Sequence, residues 1–149
     1  MKKFKFSLET VLSYKQQILE SLQTEHAAII AEVHNQEELL ENLKNSYYAY
    51  SEEYRNRSAE GIAITDALAY QANLRARERE IKAETEHLAE LRKQEEAKRM
   101  EVVEAKKDTS SIEKLREKKL NTYNIAIAKG EEQFIEEFVS SRRSVAAGI

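Results

Sequence analysis

The chain has 149 residues, a formal charge of −3 from 24 basic and 27 acidic side chains, no proline, no cysteine and three glycines. The missing cysteines exclude disulfides and thiolate metal sites, and the near-balance of charge argues against nucleic acid as a partner, because phosphate binding wants a dominant basic face. A charged content of 34% in a sequence rich in Ala, Glu, Lys, Leu and Arg excludes an ordinary globular domain and points to long helices.

At the N-terminus, Lys2, Lys3 and Lys5 are followed by no apolar stretch of the kind a signal peptide carries. No run approaches the ~20 apolar residues of a membrane span, so the expectation is a cytoplasmic protein with no direct membrane insertion. The first helical arm is predicted to begin at Ser7, whose hydroxyl can cap free amides, with Phe6 as a hydrophobic staple. Thr10 stands where a full capping box would have Glu or Gln.

From there Leu8, Leu12, Leu19, Leu22, Ile29, Val33, Leu40, Leu43, Tyr47, Tyr50 and Tyr54 follow one another at alternating steps of four and three, with Lys15, His26 and Gln36 filling the gaps in register. A period of about 3.5 residues held this long marks a coiled-coil seam rather than the broader stripe of a globular helix. The arm is expected to span about 7–57, roughly 50 residues or about 75 Å. A turn is expected over about 58–65, where Gly61 can take the left-handed conformation that ends a helix and Thr65 or Asp66 can cap the next.

The second arm is expected over about 66–141, followed by a flexible tail over 142–149, all within a single domain over 1–149. Leu74, Ile81, Leu88 and Val102 recur at sevens with Glu95 in the missing slot, and Leu91, Ala105 and Ile112 supply part of the alternate layer. Leu120, Tyr123, Ile127 and Phe134 continue in a shifted phase, so a stutter is predicted near Leu115 to Leu120. Short connections favour antiparallel neighbours, and the fold class is therefore all-α: a long antiparallel two-helix coiled coil with a C-terminal helical overhang. Folding back near residue 62 pairs positions whose numbers add to about 124, which sets Leu8 beside Arg116 and leaves everything beyond without a partner in the first arm. That overhang holds Ile127, Phe134, Ile135, Phe138 and Val139, and large uncovered apolar residues call for a binding partner at the joined terminal end.

Little points to catalysis. Glu84-Thr85-Glu86-His87 has the Glu-x-x-His spacing of di-iron bundles, but such a site needs a second copy and two more carboxylates converging from other helices, and no second copy occurs in this sequence. His26 occupies a seam position, where a polar residue specifies register. There is no Gly-rich phosphate loop and no nucleophile on a strand-to-helix turn, and pairs such as Glu52-Glu53 and Glu95-Glu96 suit a solvated helix face. No catalytic, cofactor-binding or metal-binding residue is predicted, and no cofactor. Tyr47, Tyr50 and Tyr54 are expected to pack on the start of the second arm, while Tyr48 falls off the seam toward a partner. The basic run from Lys114 to Lys119 suits a solvated face, or docking on an acidic partner.

Taken together, these segments resemble the flagellar FliJ family, a small component of the flagellar type III export apparatus. The opening Phe4-Lys5-Phe6-Ser7-Leu8-Glu9-Thr10-Val11-Leu12-Ser13-Tyr14-Lys15 is similar to the family's start in Gram-positive bacteria. So are Gly61-Ile62 followed by Tyr70 and Leu74, the segment Glu113 to Leu120 with Tyr123, and Ile135-Glu136-Glu137-Phe138-Val139. Departures are Glu136, where the family usually has Asp, Glu132, where Gln is common, and a polar face of Asn73, Arg77, Glu80 and Glu84 at the start of the second arm.

The resemblance implies a stalk-like hairpin that binds the export ATPase hexamer and a membrane export-gate protein, and escorts export chaperones, at the inner face of the cell membrane at the flagellar base. On this sequence it assigns Phe4, Leu8, Leu115, Leu120, Phe134, Glu136, Glu137 and Phe138 to the ATPase contact, and Tyr70 and Leu74 to the export gate. For Leu8, Leu74 and Leu115 ordinary seam packing is an equal expectation. Competing readings are a generic coiled-coil spacer, a stalk subunit of another ATPase or injectisome, and an adaptor that self-associates through its overhang.

Overall fold

The computed structural model describes residues 2–148. It contains two helices, α1 (Glu9–Glu60) and α2 (Ile64–Ala147), which pack against each other as an antiparallel helical hairpin. Contacts group the chain into two units: residues 20–103, which hold the turn, and residues 1–19 with 104–149, which hold both termini.

In the turn-containing unit the seam predicted from the four–three spacing is the one observed. Val33, Leu40, Leu88 and Leu91 are buried together, with Ile29 and Ile81 packed on them. Polar residues interrupt this apolar row at defined levels. The buried Gln36 amide donates to the Glu84 carbonyl at 3.1 Å and also to the Glu84 carboxylate. His26 Nε2 lies 2.8 Å from Glu95 Oε1. A shift of one residue would strand these half-buried polar groups in an apolar layer, so they fix the register of the arms. Across the flanks, Arg92 pairs with Glu37 at 3.2 Å and Lys98 with Glu25 at 2.9 Å. Lys98 hydrogen-bonds Glu101 and Glu25, which together hold its ammonium above the ordinary lysine range. A raised lysine contributes its stabilisation below its unfolded value and loses it only as pH climbs through the folded one, so this contribution persists through neutral pH.

The connection is shorter than the 58–65 expected. Ser58, Ala59 and Glu60 stay helical, and only Gly61, Ile62 and Ala63 lie between the helices. Gly61 has φ = +100°, as the sequence suggested for the residue that stops α1, and its N–H donates to the Ser58 carbonyl at 3.3 Å. Neither Thr65 nor Asp66 is the cap of α2. The first helical bond runs from the Ala67 amide to the Ala63 carbonyl at 3.0 Å, which puts Thr65 and Asp66 inside the first turn, where the Asp66 charge favours the amide end of the helix dipole. A Cβ on Gly61 would meet nothing within 4 Å, so only the backbone conformation resists substitution. Gly61→Ala is expected to destabilise the hairpin by about 1 kcal/mol in a denaturant titration followed by circular dichroism.

In the unit that holds both termini, Phe6, Leu12 and Thr109 are buried. Thr109 Oγ1 donates to the Ala105 carbonyl at 2.8 Å and lies 3.4 Å from the Lys15 carbonyl on the other arm. The register predicted by folding back near residue 62 is met here by Lys15 opposite Thr109. α1 starts at Glu9, two residues later than Ser7, because Ser7 and Leu8 form a tight turn in which the Glu9 amide donates to the Phe6 carbonyl at 3.1 Å. Ser7 is therefore spent in the turn rather than as the cap. The helix of α2 continues to Ala147, through most of the stretch expected to be a tail; residue 149 lies outside the described residues.

Candidate functional site

The expectation that α2 loses its partner beyond Arg116 is corrected by the N-terminal segment. Although residues 2–6 are not helical, they continue along α2. Phe4 packs on Tyr123 with ring centroids 5.5 Å apart, and the Tyr123 hydroxyl donates to the Lys2 carbonyl. The Arg116 guanidinium sits 5.7 Å from the Phe4 ring, and its Nε donates to Glu9 at 3.0 Å. Aromatic rings can bury themselves on a helix without being helical, which the seam pattern alone could not express. Coverage ends near Gly130, the last half-buried position, and residues 131–148 are exposed throughout.

What remains uncovered is apolar. Phe134, Ile135 and Phe138 are 70%, 61% and 57% exposed, and Val139 and Val145 are also open. Glu136 and Glu137 are exposed beside them. A surface of this kind can bind by burying apolar area inside a charged rim. Next to it, Lys2, Lys3, Lys5 and Lys119 surround a groove floored by Phe4, Tyr123 and Ala126.

Of the residues singled out from sequence, Phe4 is half-buried on Tyr123, and Leu8 and Leu120 are half-buried along the seam. Leu115 is not a seam residue. Buried and half-buried positions run Thr109, Ile112, Arg116, Leu120, which is the eleven-residue step of a stutter, and this turns Leu115 outward beside Lys114 and Lys118. In the other unit Tyr70 is buried, with ring centroids 5.0 Å from Tyr50 and 5.2 Å from Tyr54, and it accepts a 2.8 Å hydrogen bond from Arg57. Leu74 is half-buried on the seam. Tyr70 and Leu74 are thus packing residues in this structure.

Tyr47 donates to Glu78 at 2.7 Å, a bond that pushes its phenol above the usual range, and Tyr48 is exposed with an edge contact to Tyr47. Glu84 is engaged by Gln36, and His87 is exposed. Among the described residues no three His, Cys, Asp or Glu side chains gather to hold a metal ion, and no helix is long and apolar enough to cross a membrane.

Two surfaces escaped the sequence pattern. Val11, Tyr14 and Ile18 form an exposed stripe on α1, and Ile64 and Leu68 lie exposed at the start of α2. The first was legible in its 3–4 spacing one position ahead of the seam. The second, a single pair beside the turn, has too few residues to show a period.

The fold defines a coiled-coil hairpin protein whose recognisable feature is an exposed apolar row at its terminal end. A family model described as the flagellar FliJ protein matches residues 4–147, and the chain belongs to that family. Membership makes it a component of the flagellar export apparatus, in a family that is not enzymatic. Searches among curated proteins and among solved structures returned no match.

Proposed function

We propose that this chain is a stalk-like component of flagellar export that docks on the export ATPase hexamer through its terminal end. The observation that carries this reading is the uncovered row Phe134, Ile135, Phe138 and Val139 in a chain that belongs to an export family. Glu136 and Glu137 border the row, and farther back along α2 Phe4 packs on Tyr123, with Leu8 and Leu120 half-buried. Leu115, turned outward by the stutter, adds an apolar point within the basic run from Lys114 to Lys119.

For the membrane export gate the reading points to the stretch that carries Tyr70 and Leu74. With Tyr70 buried, contact there falls to its exposed neighbours Ile64 and Leu68, and Tyr70 serves by holding the start of α2 in place. Escort of export chaperones belongs to the same reading, as does a position at the inner face of the cell membrane reached through partners rather than by insertion. Co-purification of the full chain with the export ATPase hexamer, and stimulation of ATP hydrolysis, test the proposal. Absence of both at micromolar concentrations would refute the ATPase contact. Ile64→Asp combined with Leu68→Asp is expected to weaken capture by the export gate roughly tenfold while leaving ATPase capture unchanged, measured by paired pull-downs.

A further inference from the structure

The exposed face of α2 beyond Gly130 carries a pattern that the hairpin seam does not. Its members are Glu131, Phe134, Ile135, Phe138, Val139 and Arg142. Their spacing is symmetric about the point between Glu136 and Glu137: Phe134 mirrors Val139, Ile135 mirrors Phe138, and the acid Glu131 mirrors the base Arg142. One turn farther out, Ala128 mirrors Val145. The two apolar pairs, Phe134-Ile135 and Phe138-Val139, stand four residues apart, about one helical turn, so the row stays on one side of α2. Arg142 belongs to that side, since its guanidinium lies 5.9 Å from the Phe138 ring.

We propose that this segment is a self-complementary surface that docks, antiparallel, on the same segment of a second copy of the chain. Antiparallel pairing about the midpoint lays Phe134 against Val139 of the other copy and Ile135 against its Phe138, twice over by symmetry. It also sets Glu131 against Arg142 of the other copy at both ends of the apolar row. Parallel pairing would oppose Glu131 to Glu131 and Arg142 to Arg142, and is disfavoured.

The charges are available for this. Elsewhere acids and bases meet across the arms, as in Arg92 with Glu37 and Arg116 with Glu9. Among the described residues, no ion pair involves Glu131, Glu132, Arg142 or Arg143. The surface is small, in the range of transient interfaces, so the dimer is weak and reversible. The proposal goes beyond the ATPase reading: one face cannot hold both occupants, so pairing withholds it from the ATPase when the chain is concentrated and alone.

Sedimentation velocity on the full chain, with no other protein present, tests the pairing separately from ATPase binding. A reversible dimer is expected to grow in between about 1 and about 200 µM. The variants E131R/E132R and R142E/R143E each place like charges at both ends of the row, and each is expected to dimerise roughly tenfold more weakly. Mixed in equal amounts they restore opposite charges at both ends, and the mixture is expected to recover the dimer. A wild-type chain that stays monomeric throughout gives the face to another partner and overturns the proposal. Variants that dimerise like wild type, or a mixture no stronger than its components, overturn it as well.

Discussion

Replacing Leu88 with alanine is expected to lower the unfolding free energy by about 2–3 kcal/mol. Leu88 is 5% exposed and packs with Val33, Leu40 and Leu91, with Ile29 and Ile81 on the flank. A two-helix seam has no further layer behind it, so each large apolar residue supplies a large share of what holds the arms at that level. Domains are stable by only about 5–15 kcal/mol, so one such loss moves the denaturant midpoint visibly. Leu39, beside Leu40 on α1 but 43% exposed, is the matched control, and Leu39→Ala is expected to change stability by less than about 0.5 kcal/mol. Urea titrations of both variants followed by circular dichroism check the pair. Equal costs would mean that Leu88 is not a seam residue.

The first arm was legible because every level of its seam is marked, either by an apolar residue or by a single polar one in register. The second arm was legible only in its sevens. At Arg77, Glu84 and Lys98 the alternate layer is polar, and a hydrophobic pattern reads such positions as surface. The structure turns them inward because each has a partner on the other arm: Ser46 for Arg77, Gln36 for Glu84 and Glu25 for Lys98. Half-buried polar groups stay on a seam when they are paired, and pairing between residues 31 to 73 positions apart is invisible to local periodicity. The turn came out too long for a related reason. Ser58 to Glu60 has no strong breaker, so the helix runs on until Gly61 supplies the left-handed conformation.

The terminal face was legible as large apolar residues with no place on the folded-back seam. Its starting point was not, because Phe4 and Phe6 lie outside any helical repeat and still pack. Leu115 looked like a seam residue by type, whereas folding back near residue 62 had already set Arg116 beside Leu8; the structure half-buries Arg116 and leaves Leu115 exposed. Tyr70 was assigned outward by resemblance alone. Its burial between Tyr50 and Tyr54 follows from the tyrosine cluster at the end of the first arm, which the sequence did place against the start of the second.

Ending the chain at Lys129 is expected to abolish capture by the export ATPase while sparing the hairpin. The cut removes Phe134, Ile135, Phe138 and Val139 together with Glu136 and Glu137. It leaves the buried residues of both units, from Phe6 and Leu12 to Leu88 and Thr109. A few large side chains near the centre of an interface carry most of its binding energy, so losing all of them should weaken capture by at least about a hundredfold. Helicity should fall only by the share of helical residues removed, since nothing on the seam depends on them. The most direct measurement is the affinity of the purified ATPase hexamer for the full chain and for the chain that ends at Lys129, taken side by side with their circular dichroism. Tight capture by the full chain and none by the shortened, still helical one is the result predicted here; equal capture by both would contradict the assignment of the terminal face.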